Sequence, residues 1–176
     1  NDGQKGMGLI MLILIGCAPT AYALNRTGDA ASGSAFLQAA SGAEAVFERR
    51  AHGLAMPVGQ ARAVLTEELR ARRVNDPRTF AALDAVTEAV RGEVARFGGL
   101  SAVPASDTAA LRNDMYLVAD ISKYMVAGKG PSVLTEPELA AVSAFQDALQ
   151  DGTRYIPDWV KVAVALALGL VGIVLP

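Results

Sequence analysis

At 176 residues the chain fits one domain, or one domain with appendages. Its 52% apolar content and mean hydropathy of +0.29 are high for a water-borne protein. A net charge of −2 gives no pull toward nucleic acid. A single cysteine, Cys17, and a single histidine, His52, exclude an internal disulfide framework and a Cys/His zinc cluster, and they weigh against a hydrolase built on a triad or dyad. The expectation is a chain that is not an enzyme and carries no cofactor.

The first element is polar. Asn1-Asp2-Gly3-Gln4-Lys5-Gly6 runs directly into the apolar segment Met7–Leu24, which is close to the roughly 20 residues that span a bilayer as helix. Ionisable groups at membrane depth are costly and usually functional. In a helical turn residues 1 and 5 share a face and residue 2 is adjacent. Gly3, Gly6 and Gly8 make such a turn easy to unwind, and broken helices are where transporters commonly build ion sites. The amides of Asn1 and Gln4 could donate to oxyanion oxygens, Lys5 could supply charge, and Asp2 could hold a cation or proton. Spacing alone leaves two other readings open: a hydrated chain start, or the leader of a signal peptide. The second has its own support. Ala21-Tyr22-Ala23 fits an A-x-A cleavage site, and Leu14-Ile15-Gly16-Cys17 fits a lipoprotein signal. On that alternative the product is a lipid-anchored or secreted helical protein with a binding or structural role. The polar hexapeptide, lacking a Met before it, and a second apolar run at the far end both count against it.

The middle of the chain is different in kind. All charged side chains except Asp2, Lys5, Asp158 and Lys161 fall within Asn25–Ile156. Asn25–Ser34, rich in Gly, Ser and Asn, is expected to be a flexible linker. Beyond it, apolar residues recur at helical spacing. Phe36, Ala40, Ala43 and Phe47 form one stripe, and Ala61, Val64, Leu65 and Leu69 a second. Phe80, Leu83, Val86, Val90, Val94 and Phe97 form the longest. Leu111, Met115, Val118, Ile121 and Met125 form a fourth; Leu139, Val142, Phe145 and Leu149 a fifth. Starts are marked by Asp76-Pro77, by Ser106, and by the capping box from Thr135 to Glu138. Gly98-Gly99, Gly128 to Pro131, and Gly152 mark stops. These signals predict a bundle of four or five short helices with no sheet. The narrow, Ala-rich stripes predict a thin core. Arg70, Arg72 and Arg73 read as a solvated face partnered by Glu67 and Glu68, and His52 as a surface or linker residue.

The last element, Trp159–Leu175, is apolar again and of near-membrane length. Tyr22, Tyr155 and Trp159 border the middle region from both sides, where aromatic belts sit at headgroup level. The fold expected is therefore all-α: two transmembrane helices flanking an extramembrane helical bundle, with both spans meeting the same interface. The missing Met and the apolar final residues make both ends read as truncation points of a larger polytopic membrane protein. The layout divides into 1–24, 25–155 and 156–176.

The opening hexapeptide followed by Gly8-Leu9-Ile10-Met11-Leu12 resembles the second signature motif of bacterial inorganic phosphate transporters of the PiT family. A second anchor is Tyr155–Gly169, where Ile156-Pro157-Asp158-Trp159 leads into an Ala-Val-Leu helix; the middle matches loosely, mainly at Arg112–Met125. The resemblance implies two inverted repeats around a central phosphate site, each with an Asn-Asp motif. The common family form is Asn-Asp-Val-Ala-Asn-Ala. Asn1 and Asp2 match it, Gly3 and Gln4 depart, and Lys5 stands where the second Asn would be. That form is similar to the low-affinity branch, which implies proton coupling, and phosphate carried with a divalent metal. Asn1, Asp2, Gln4 and Lys5 are the implied substrate or ion contacts. The implied place is the cell inner membrane, multi-pass in the lipid bilayer, with residues 25–155 periplasmic. Expression of residues 25–156 alone should give a soluble unit with a helical circular dichroism spectrum; a coil or sheet spectrum would contradict the helical reading.

Overall fold

In the computed structural model, residues 24–25, 30–71, 76–127 and 134–153 are described. They form five α-helices and a single 3-10 turn, with no strand among the described residues. The helices are α1 (Ala30–Arg50), α2 (Val58–Ala71), α3 (Pro77–Phe97), α4 (Ala105–Val126) and α5 (Glu136–Thr153); the 3-10 turn is Leu100–Ala102. The hexapeptide and the segment Trp159–Leu175 lie outside the described residues, as does Met7–Ala23. Among the described residues no helix is long and apolar enough to cross a membrane.

The five stripes become five buried faces. Phe36, Ala40, Ala43 and Phe47 of α1 are buried, as are Leu83, Val86, Val90 and Val94 of α3 and Val142, Phe145 and Leu149 of α5. α1 packs between α3 and α5, α2 joins α3 to α4, and α4 meets α5 and α3. The helices thus close into a ring around one contiguous core. Phe36 meets Phe145 edge-on at 5.8 Å between ring centroids, and Phe47 meets Phe80 at 6.5 Å. A buried Phe contributes about 1.5–3 kcal/mol from transfer alone. The expectation of short helices with a thin core is corrected: α1, α3 and α4 run 21, 21 and 22 residues. The alanines do not thin the core. Ala40, Ala43, Ala81 and Ala82 are fully buried and let the backbones approach, so Phe, Leu and Val from three helices interleave.

The helix ends follow the sequence signals in part. Asp76 is the N-cap of α3: its Oδ1 accepts the Arg78 N–H at 2.7 Å, with Pro77 at the first helical position. Gly98 closes α3 at φ 75°, and the N–H of Gly99 returns to the Val94 carbonyl. The Glu138 carboxylate accepts from both the N–H and the hydroxyl of Thr135, at 2.9 and 3.0 Å. This supplies the Glu arm of the predicted capping box.

Three expectations are corrected. Ser106 is not a cap; the cap position falls two residues earlier, at Pro104, whose carbonyl takes the Asp107 and Thr108 N–H groups. The linker predicted over Asn25–Ser34 is already helix from Ala30, and Asn25 is hydrogen bonded. Its small residues serve close packing: a Cβ on Gly33 would lie 3.5 Å from the Gly99 Cα. Gly152 does not stop α5 either. It sits inside the helix because a Cβ there would meet Leu100 and Met115, both at 2.8 Å. Gly92, by contrast, has open space around it in α3. Gly92→Ala should raise stability by about 0.5–1 kcal/mol through helix propensity alone. Gly152→Ala should lose that gain to overpacking, reading neutral or lower in urea denaturation.

Candidate functional site

Asn1, Asp2, Gln4 and Lys5, the contacts implied by the motif, lie outside the described residues. What the structure describes is the bundle that begins at Leu24. The first described residue, Leu24, is 1% exposed and part of the core. The next residue, Asn25, donates its backbone N–H to the Gly152 carbonyl at 2.8 Å and its side-chain Nδ2–H to the Asp151 carbonyl at 3.2 Å. The Tyr116 hydroxyl donates to the Thr153 carbonyl at 3.3 Å and accepts from Arg112 Nη2 at 3.1 Å. The Arg112 guanidinium also stacks over the Tyr116 ring at 4.6 Å.

Three successive carbonyls at the end of α5 are therefore taken by groups from outside α5. The result is a clasp. The first described residues and the last turn of α5 are joined by hydrogen bonds, one of them between residues 126 apart in sequence.

Charged pairs hold neighbouring helices in register. Arg91 grips Glu44 between α3 and α1, and Arg62 makes two 2.7 Å bonds to Asp114 between α2 and α4. Arg50 binds Glu138 between α1 and α5 through both carboxylate oxygens. Arg50, together with the Thr135 N–H, pulls the Glu138 carboxyl down to about 2. Asp84 of α3 goes the other way. Partial burial, and then the charges of Glu44, Glu48 and Glu88, push it up to about 6. These four acids do not form a metal site: among the described residues no group of His, Cys, Asp or Glu could hold a metal. His52 is exposed in the turn after α1, at φ 52°. Arg70 is exposed, in keeping with a solvated face, while Glu68 beside it is buried.

Sequence reasoning missed Asn25, Tyr116 and Asp84. Asn25 was hidden by linker-like neighbours, and nothing local marks a residue whose partners lie beyond position 150. Asp84 had a visible signal, acids spaced by four at Glu44/Glu48 and Asp84/Glu88, which acquires meaning only once α1 and α3 are adjacent.

The chain aligns with curated transporters over nearly its whole length. It is 30% identical over 175 residues to the low-affinity inorganic phosphate transporter PitA of Escherichia coli K12, and to PitA of Escherichia coli O157:H7 to the same degree. It is 28% identical over 178 residues to the low-affinity inorganic phosphate transporter PitB of the K12 strain. The chain is homologous to the PiT phosphate transporters. The alignments cover 97% of this chain and 34% of each relative, so the chain spans about a third of their length. No family model matches, and no solved structure matches.

The two shifted carboxyls predict opposite pH slopes. Asp84 ordinarily titrates at 3.8, so at intermediate pH the native state holds a proton the unfolded chain has released. Its contribution to stability grows as pH falls from above 6 toward 3.8. Glu138 contributes fully above its ordinary 4.5 and loses that contribution as pH falls toward 2. In urea titrations, Asp84→Asn should raise the midpoint at pH 7 and flatten the slope between pH 6 and 4. Glu138→Gln should lower the midpoint at pH 7 and flatten the fall below 4.5. A variant whose pH curve runs parallel to the parent's would refute the assignment for that residue.

Proposed function

We propose that this chain is part of a multi-pass transporter carrying inorganic phosphate across the inner membrane. Alignment of nearly the entire chain, bundle and apolar runs together, with low-affinity phosphate transporters carries this reading. In it, Met7–Leu24 and Trp159–Leu175 are membrane spans and the bundle is a periplasmic insertion. The clasp is the geometry such an arrangement needs. Two spans that leave the same membrane face must attach at one end of the insertion, and Asn25 bonds directly to the residues preceding the second run.

Asn1 and Asp2 contact phosphate or the coupling ion, with Gln4 and Lys5 beside them. Coupling is to protons, and phosphate travels with a divalent metal. The physical basis for proton coupling is the exchange of an amide for an ammonium at position 5. The Lys5 charge occupies the place of a sodium ion, leaving Asp2 to titrate. Phosphate uptake by cells expressing the natural gene, in a strain lacking other importers, tests this. Asp2→Asn should abolish uptake. Lys5→Asn should introduce sodium dependence and weaken proton coupling. Wild-type uptake in the Asp2 variant would end the site assignment, and a Lys5 variant with unchanged coupling would end the account of Lys5.

A further inference from the structure

The clasp fixes more than the spacing of two segments; it also selects one end of the bundle. Residues packed around it form a connected set. Asn25 bonds to Gly152 and Asp151, and the space above Gly152 is filled by Leu100 of the 3-10 turn and Met115 of α4. The neighbouring Gly98 and Gly99 lie against Gly33 at the start of α1. This end therefore comprises Asn25, the start of α1, the 3-10 turn that leads into α4, the middle of α4 at Met115 and Tyr116, and the end of α5.

Its surface has an unusual composition. From Gly98 to Ser106 there is no charged residue, and α1 carries none before Glu44. Ser101, Ala102, Pro104, Ala105 and Ser106 are exposed. Among the described residues the charges at this end stand at its rim, and Arg26, Asp29 and Arg154 flank the clasp in sequence. Arg96 pairs with Glu93 at 2.7 Å and approaches Asp107 at 3.7 Å, and Asp151 is exposed beside the clasp. The opposite end of α1, about 30 Å away along 21 helical residues, carries Glu44, Glu48, Arg49 and Arg50 in its last seven positions.

Tether length decides what this end faces. Leu24 is at once the last residue of the first apolar run and a member of the bundle core, so no linker separates the two. On the other side, residues 154–158 lie between α5 and Trp159, roughly 20 Å when fully extended. If the apolar runs cross a bilayer, the end of the bundle bearing the clasp is drawn onto its surface. With no carboxylate in the Gly98–Ser106 turn, anionic headgroups are met without repulsion.

We propose that the Gly98–Ser106 turn is a lipid-contact surface: the bundle is seated on the bilayer's headgroup layer through its clasp end, with Ser101, Ala102 and Pro104 in contact and the Leu54 turn directed into water. This rests on the membrane reading above. The test uses the full chain in vesicles of phosphatidylethanolamine and phosphatidylglycerol, with Cys17→Ala and one new cysteine, Ser101→Cys, Ala102→Cys or Leu54→Cys, labelled with an environment-sensitive fluorophore. Headgroup-located nitroxide lipids should quench the labels at 101 and 102 about twofold or more over the label at 54, as expected for groups within the interfacial layer. Aqueous iodide should show the reverse order. Equal lipid quenching at both ends in protein that floats with the vesicles would overturn the seating. So would labels at 101 and 102 shielded from iodide and lipid alike, which would mean that protein covers the turn. Failure to float at all would instead overturn the membrane reading itself.

Discussion

The architecture turns on how the last carbonyls of α5 are satisfied. A helix end needs partners for its unpaired carbonyls, and the usual device is a left-handed glycine that folds the chain back. α3 uses that device at Gly98. In α5, Gly152 lies within the described helix and is not left-handed. The α5 carbonyls at Asp151, Gly152 and Thr153 go to Asn25 and Tyr116. These bonds form a long-range tie that draws in the first described residues and α4. Gly152 is then free to serve another purpose: without a Cβ it lets Leu100 and Met115 close over the helix.

The ring of helices is held by two kinds of contact that differ in reach. The core supplies most of the energy, because transfer of Phe, Leu and Val from water outweighs anything at the surface. The ion pairs supply little net stability where they are exposed. Their value lies in alignment. Arg50 with Glu138, Arg91 with Glu44 and Arg62 with Asp114 each join helices adjacent in the ring, and all three are two-pronged, so a slide of one helix past another breaks both prongs together. Glu138 also bonds Thr135, so one carboxylate both stabilises the start of α5 and fixes that start against the end of α1.

Much of this was legible in the sequence, and the residues that were not share a cause. Stripes such as Phe80 to Val94 are periodic, and periodicity needs only local information. Asp76 could be read because a cap acts on its own helix. Gly33 and Gly152 were misjudged as loosening or ending structure, since a glycine that admits a distant side chain looks the same in sequence as one that breaks a helix. Asn25 was misjudged for the same reason. The motif at Asn1–Lys5 is a different case: its reading comes from resemblance and alignment, and its geometry lies outside the described residues.

A soluble module attached to a membrane by long linkers needs its own means of holding an orientation, usually a basic patch against anionic lipid. The clasp end of this bundle has no such patch in its turn, and on the membrane reading it needs none. With Leu24 serving both the apolar run and the core, orientation is set by the covalent chain and by hydrogen bonds that salt does not screen as it screens surface charge. The distribution of charge along α1 fits the same logic. A helix lying across the interface would carry charged groups along its whole length. α1 instead keeps its first 14 residues uncharged and gathers its acids and bases at the far end. On the membrane reading, that is the pattern of a helix standing away from an apolar layer, with its uncharged end beside the clasp and its ion pairs in water.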